Sequence, residues 1–247
     1  MQQASDIYSA SSGSDCGARL LVLGSPALQQ CTGTACATSA LWTPAAYGLA
    51  FGLLQHDMVE PFLLHYFAMS AHAYTRGSAM APEWSNVGNR DDPAVAYAAA
   101  SEVIAPTYLK WMLCYEEPET KTLWLAKATP RDWLAVGQEP VRASNLTTRY
   151  GRVSFAVAAQ ASEDSNVAAL SVHASVTLPA SFATTTPAGG IRLRIRAPLE
   201  HKLSGVTVGG KAWSDFDAAE ETINIAASKI TASLIADGLP HIVATFS

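Results

Sequence analysis

Residues 104–125, IAPTYLKWMLCYEEPETKTLWL, change their period part-way along. Up to Glu117 the apolar residues recur at helical spacing, a pattern that runs back to Ser39. Beyond Pro118 they alternate, as in Thr122-Leu123-Trp124-Leu125. A boundary near 118–140 therefore divides a helical half from a half made of strands.

Working back from that boundary, the spacing predicts helices over about 41–55, 58–75 and 93–115. Pro61 and Pro93 fall near helix starts, where a missing N–H costs least. Pro106 lies inside the third pattern and is expected to kink or interrupt it. Working forward, strands are expected over 152–157, 170–178, 191–196, 204–208, 221–225, 229–235 and 240–246. The pair Gly209-Gly210 signals a hairpin turn between Val206-Thr207-Val208 and Lys211-Ala212-Trp213. Short strands at such intervals suggest an antiparallel β-sandwich. The class is α+β, organised as a loosely structured segment 1–38, rich in Ser, Gly, Ala and Thr, a helical segment 39–118 and a sandwich 119–247.

Composition bounds the function. With 49% hydrophobic and 15% charged residues among 247, the chain can bury a real core. A formal net charge of −5, with 16 Lys and Arg in all and no basic run, argues against nucleic acid, whose phosphates are held by clustered cations. The most apolar window, 41–54, is broken by Thr43, Pro44 and Gly48 and falls short of the ~20 residues a bilayer span needs. No membrane partner is expected, and the chain reads as soluble. Its first residues carry no secretory signal, and nothing marks a compartment. Of Cys16, Cys31, Cys36 and Cys114, only Cys31 and Cys36 are close in sequence; they could pair in an oxidising compartment or stay free. No spacing suggests zinc, no Gly-rich loop has a nucleotide-binding context, and neither a metal nor a cofactor is expected. Asn145-Leu146-Thr147 is a glycosylation sequon that matters only in a secretory setting.

Three stretches carry a resemblance: Phe62-Leu63-Leu64-His65-Tyr66-Phe67; Thr75-Arg76-Gly77 followed by Ala81-Pro82-Glu83; and Leu123-Trp124-Leu125 leading to Thr129-Pro130-Arg131-Asp132-Trp133-Leu134. With late helices before a sandwich, and Val206 to Asp217 as a strand, a turn and a tryptophan, they resemble the end of a six-hairpin glycosidase. In that superfamily six helical hairpins form an (α/α)6 barrel, often flanked by β-sandwiches. The resemblance implies that residues 39–118 are the last hairpins of such a barrel. Twelve helices of ~12 residues with ~5-residue connections need roughly 200 residues, so the chain reads as the carboxy-terminal portion of a longer enzyme. Its implied partners are an oligo- or polysaccharide and the earlier hairpins.

Inverting glycosidases use two carboxyl groups about 6.5–9.5 Å apart, one acid and one base. The resemblance points to a late inter-helix loop for the base, where Glu83 stands between Pro82 and Trp84. Glu83 is the catalytic candidate; the competing reading is a loop carboxylate paired with Arg76 or Arg90. Arg76, Trp84 and His72 are the substrate-binding candidates, because polar forks and aromatic faces suit hydroxyl-rich rings. No partner acid is evident: Asp92 reads as a helix cap, and the isolated chain is expected to be inactive. His65 and His72 share a helix face with Met69, seven apart rather than at the metal-binding i, i+4 spacing. Ser70, Ser78 and Cys114 lack a recognisable base. Arg192, Arg194 and Arg196 alternate with Ile191, Leu193 and Ile195, which places them on one sheet face, solvated or salt-bridged, or else forming a surface for an acidic glycan. The rival to an enzyme is a non-catalytic carbohydrate-binding or structural module using Trp84, Trp213 and that arginine face.

Overall fold

The computed structural model describes residues 40–42, 46–72, 74, 81, 84–86, 98–161 and 170–247. The chain divides into two compact units, Met1–Leu109 and Lys110–Ser247. It is α+β, with few helices, a two-stranded antiparallel pair and two larger sheets built mainly of antiparallel pairs. No helix among the described residues is long and apolar enough to cross a membrane. Residues 1–38 lie outside the described residues.

In the first unit, helix α1 (Ala46–Gln55) is joined to α2 (Val59–His72) by three residues. The joint is a helix stop of defined chemistry. Asp57 takes a left-handed φ of 57°, which a short polar side chain tolerates better than most. The Asp57 N–H then donates to the Leu54 carbonyl and the Met58 N–H to the Leu53 carbonyl, the paired bonds that satisfy the last carbonyls of a helix. Strand β1 (Ala40–Trp42) precedes α1 and pairs antiparallel with β2 (Trp84–Asn86), so the expected helix from residue 41 begins five residues late.

The expected third helix is two: α3 (Ala99–Glu102) and α4 (Ile104–Leu113), parted at Val103. Pro106 causes the break. It has no N–H for the Glu102 carbonyl four residues back, and its ring collides with that group in a continuous helix. The Tyr74 hydroxyl fills the gap, donating to the Glu102 carbonyl at 3.0 Å and accepting from the Ala105 N–H at 3.2 Å. We expect Tyr74→Phe to lower stability by about 1–2 kcal/mol, because two backbone groups lose their partner at once; a thermal melt beside the wild type measures it.

In the second unit one sheet has the order β10-β9-β13-β7-β6-β5 and the other β11-β12-β8-β4-β3. The first comprises β5 (Val141–Thr148), β6 (Gly151–Ala161), β7 (Leu170–Thr177), β9 (Leu203–Val208), β10 (Lys211–Ala212) and β13 (Leu239–Phe246). The second comprises β3 (Cys114–Glu116), β4 (Leu123–Leu125), β8 (Ile191–Arg194), β11 (Phe216–Asp217) and β12 (Thr222–Ile225). Only β4 and β8 run parallel. Buried residues of both sheets, among them Phe155, Val172, Leu193, Ile223 and Phe246, belong to one hydrophobic core.

Gly209 and Gly210 make the β9–β10 turn with φ of 59° and 74°, as a tight hairpin requires. Two expectations are corrected. Residues 229–235 are not a strand but the end of a 3-10 turn (Ala227–Lys229) followed by α5 (Ala232–Asp237). The Thr231 hydroxyl caps α5 by accepting from the Leu234 N–H, and Gly238, at φ 80°, follows its last residue. Strand β5 escapes the period-two pattern, because a bulge between Ala143 and Leu146, with Asn145 at φ 55°, breaks its alternation.

Candidate functional site

Glu83 and Arg76, the candidate base and fork, lie outside the described residues, as do Arg90, Asp91 and Asp92. Trp84 is described in its backbone, paired in register with Trp42, and His72 is the last residue of α2. What the structure does define is the backbone on either side of Glu83. The Ala81 N–H donates to the Glu102 carboxylate at 3.0 Å, and the Ala81 carbonyl accepts from the Ala98 N–H at 3.0 Å. Two residues before Glu83 and one residue after it, the chain is tied to other segments. Glu102 holds the Ala81 backbone through its carboxylate, and nothing in its own stretch of sequence distinguishes it from an ordinary helical residue.

The helices of this unit build an aromatic interior. Tyr108 is buried, with the Tyr47 ring edge-on at 5.8 Å, Phe62 at 6.2 Å and His65 at 5.6 Å. The Tyr47 hydroxyl donates to the Ala100 carbonyl. His65 is buried among these rings, and burial pushes its pKa down to about 4, only partly opposed by the Ala46 backbone. It is a neutral packing residue at physiological pH. Leu64 and Phe67, on the same helix, are about half exposed at 50% and 48%.

The second unit holds a cluster of cations around Trp124. The strand run Leu123-Trp124-Leu125 is buried throughout, as suits a strand with neighbours on both sides. The Lys127 ammonium is 3.7 Å from the Trp124 ring centre, and the guanidinium carbons of Arg192 and Arg194 are each 5.0 Å from it. Trp124 is only 7% exposed, Lys127 2% and Arg194 4%. The exposed arginine face expected from 191–196 is therefore corrected: Arg194 and Arg196 are buried. Arg194 bonds the Glu220 carbonyl at 3.1 Å and its carboxylate at 3.0 Å, and Arg196 donates to the Thr129 carbonyl at 2.8 Å. Alternation is a poor guide here because β8 lies between β4 and β12 and is covered on both faces.

The stretch Thr129 to Leu134 has a structural role of its own. Arg131–Leu134 is a 3-10 turn that buries Leu134 in the core. Arg131 reaches back to the Ala197 carbonyl and makes a forked pair with Glu221, both N···O distances 2.9 Å. Arg131 and Glu221 line a cleft of about 400 Å³ with His201, Lys202, Leu203 and Leu199. The carboxylate of Glu221 is committed to Arg131, which suits a brace better than proton transfer.

Trp213 is also engaged. Its indole N–H donates to the Asp215 and Asn224 carbonyls at 3.1 and 3.2 Å, and the Lys229 ammonium sits 4.0 Å from its ring centre. Cys114 is buried and free, its thiol pushed up to about 12 chiefly by burial and further by Glu116, so it is not a nucleophile at neutral pH. No family model, curated protein or solved structure matches this chain.

Proposed function

We propose that the chain is the carboxy-terminal portion of a six-hairpin glycoside hydrolase-like protein that cleaves glycosidic bonds, with Glu83 its base and the β unit, read as a sandwich, a structural buttress. The observation that carries the reading is the bracing of Ala81 and Trp84, two residues before Glu83 and one after it. Ala81 is fixed by Glu102 and Ala98, and Trp84 by register with Trp42. A base must be held to within a fraction of an ångström of its water, and such bracing is what that demand requires. The helical hairpin α1–α2 and the two-sheet core of the second unit fit the same architecture. Half-exposed Leu64 and Phe67 are what a barrel helix presents to neighbouring hairpins.

In this mechanism Glu83 takes a proton from water as it attacks the anomeric carbon, Arg76 and His72 hold sugar hydroxyls, and Trp84 stacks on a ring face. The acid that protonates the leaving oxygen comes from an earlier hairpin. The 247-residue chain alone is therefore expected to give no turnover on a panel of aryl glycosides; turnover by it that Glu83→Gln abolishes would show that no outside carboxylate is needed. The binding-module reading loses much of its basis, since Arg194 and Arg196 are buried and Trp213 is covered by Lys229. It now rests on Trp84, and predicts glycan binding that survives Glu83→Gln and fails with Trp84→Ala.

A further inference from the structure

We propose that His173 and His241 together bind one divalent metal ion of the kind imidazole favours, Zn²⁺ or Cu²⁺, on the outer face of the six-stranded sheet. The site begins with a proline. β13 is an inner strand, between β7 and β9, and Pro240 within it cannot donate to a ladder. Proline in such a strand is accommodated at a bulge. The register supplies one: Leu239 pairs with Val176 and Ile242 with Ala174, so Pro240 and His241 together oppose the single residue Ser175.

A bulge re-aims a side chain. Ile242, Ala244 and Phe246 point into the core, as do Val172 and Ala174 on β7, which leaves His241 and His173 on the opposite face. The His241 backbone is fixed in turn, its carbonyl accepting from the Gly209 N–H at 2.9 Å.

The two rings meet with Nδ1 of His173 3.3 Å from Nε2 of His241, centroids 5.0 Å apart. Two imidazole nitrogens each ~2.0–2.1 Å from a tetrahedral metal ion stand about 3.3–3.4 Å from one another. The observed separation matches. The nitrogens share one proton in a hydrogen bond, and a metal ion would replace it after each ring turned its lone pair off the N···N line. Among the described residues no third His, Cys, Asp or Glu completes a ligand group, and water fills the remaining positions. Imidazole ligands favour Zn²⁺ and Cu²⁺ over Ca²⁺ or Mg²⁺, which take oxygen donors, and the tetrahedral separation suits Zn²⁺ better than Cu²⁺.

The test is calorimetric titration of Zn²⁺ into the full chain beside His173→Ala and His241→Ala, with circular dichroism to verify that both variants fold. The expected result is that the zinc stoichiometry falls by one equivalent in each variant. Equal uptake by all three proteins would overturn the site and leave only a hydrogen-bonded histidine pair. Electron paramagnetic resonance with one equivalent of Cu²⁺ gives a second reading: two-nitrogen coupling lost in both variants supports the site, and spectra identical in all three contradict it.

Discussion

Gly190→Ala will cost about 3 kcal/mol or more of stability, and Gly210→Ala only about 1. Both glycines have φ near 75°, where an alanine is strained by about 1–2 kcal/mol. Their surroundings differ. A Cβ on Gly190 would lie 2.4 Å from the Ile225 carbonyl oxygen and 3.1 Å from the Ala227 nitrogen, whereas a Cβ on Gly210 meets nothing within 4 Å. The colliding atoms at Gly190 are backbone, so no rotamer change relieves them, and the shift passes into β12. The Gly190 carbonyl also receives the Leu123 N–H at 3.0 Å, which links any movement to β4 and the Trp124 cluster. Urea denaturation followed by tryptophan fluorescence measures both variants; equal midpoints would contradict the crowding at Gly190.

Acidification from pH 7 to pH 4 will remove about 3 kcal/mol through His65 alone. Its folded pKa of about 4 lies below the ordinary value of 6.5, so between these values the unfolded chain takes up a proton that the folded chain refuses. The His65 contribution is complete above pH 6.5, declines as pH falls and is spent once pH passes below about 4. A tenfold difference in proton affinity between the folded and unfolded chain is worth about 1.4 kcal/mol, and burial keeps solvent from screening the effect. His65→Phe removes the titration. Denaturant midpoints at pH 7, 5.5 and 4 are expected to fall less steeply in that variant, and parallel pH profiles would show that His65 does not titrate in this window.

Much of the secondary structure is legible from local chemistry. The break at Pro106, the Gly209-Gly210 turn and strands β6, β7, β9, β12 and β13 follow from a missing donor, a backbone freedom or a period of two, each a property of neighbouring residues. What is not legible depends on partners far along the chain. Arg194 looks solvent-facing in Ile191-Arg192-Leu193-Arg194, and only the strands on either side, with Trp124 and Glu220, account for its burial. Strand β5 hides behind a bulge whose cause lies in its pairing with β6. Helix α5 passes for a strand because Ile230, Leu234 and Ile235 are apolar, while the deciding features are single residues, Thr231 before it and Gly238 after it.

The candidate site divides in the same way. Glu83 and Trp84 stand out as a carboxylate beside an aromatic ring, which is a local signal. Glu102 does not, because its role depends on reaching the Ala81 N–H across 21 positions of sequence. Among the carboxylates of the second unit, Glu220 and Glu221 pair with Arg194 and Arg131, partners 26 and 90 positions away in sequence.

The most direct test of the proposed glycosidase is to capture the native protein from its source, with an antibody raised to the unit Lys110–Ser247, and to measure its intact mass together with its turnover of aryl glycosides. The account predicts a species well above the 26.1 kDa of this chain that hydrolyses glycosides and loses that activity when the position of Glu83 carries Gln. A captured species of 26.1 kDa that hydrolyses none of them would contradict it.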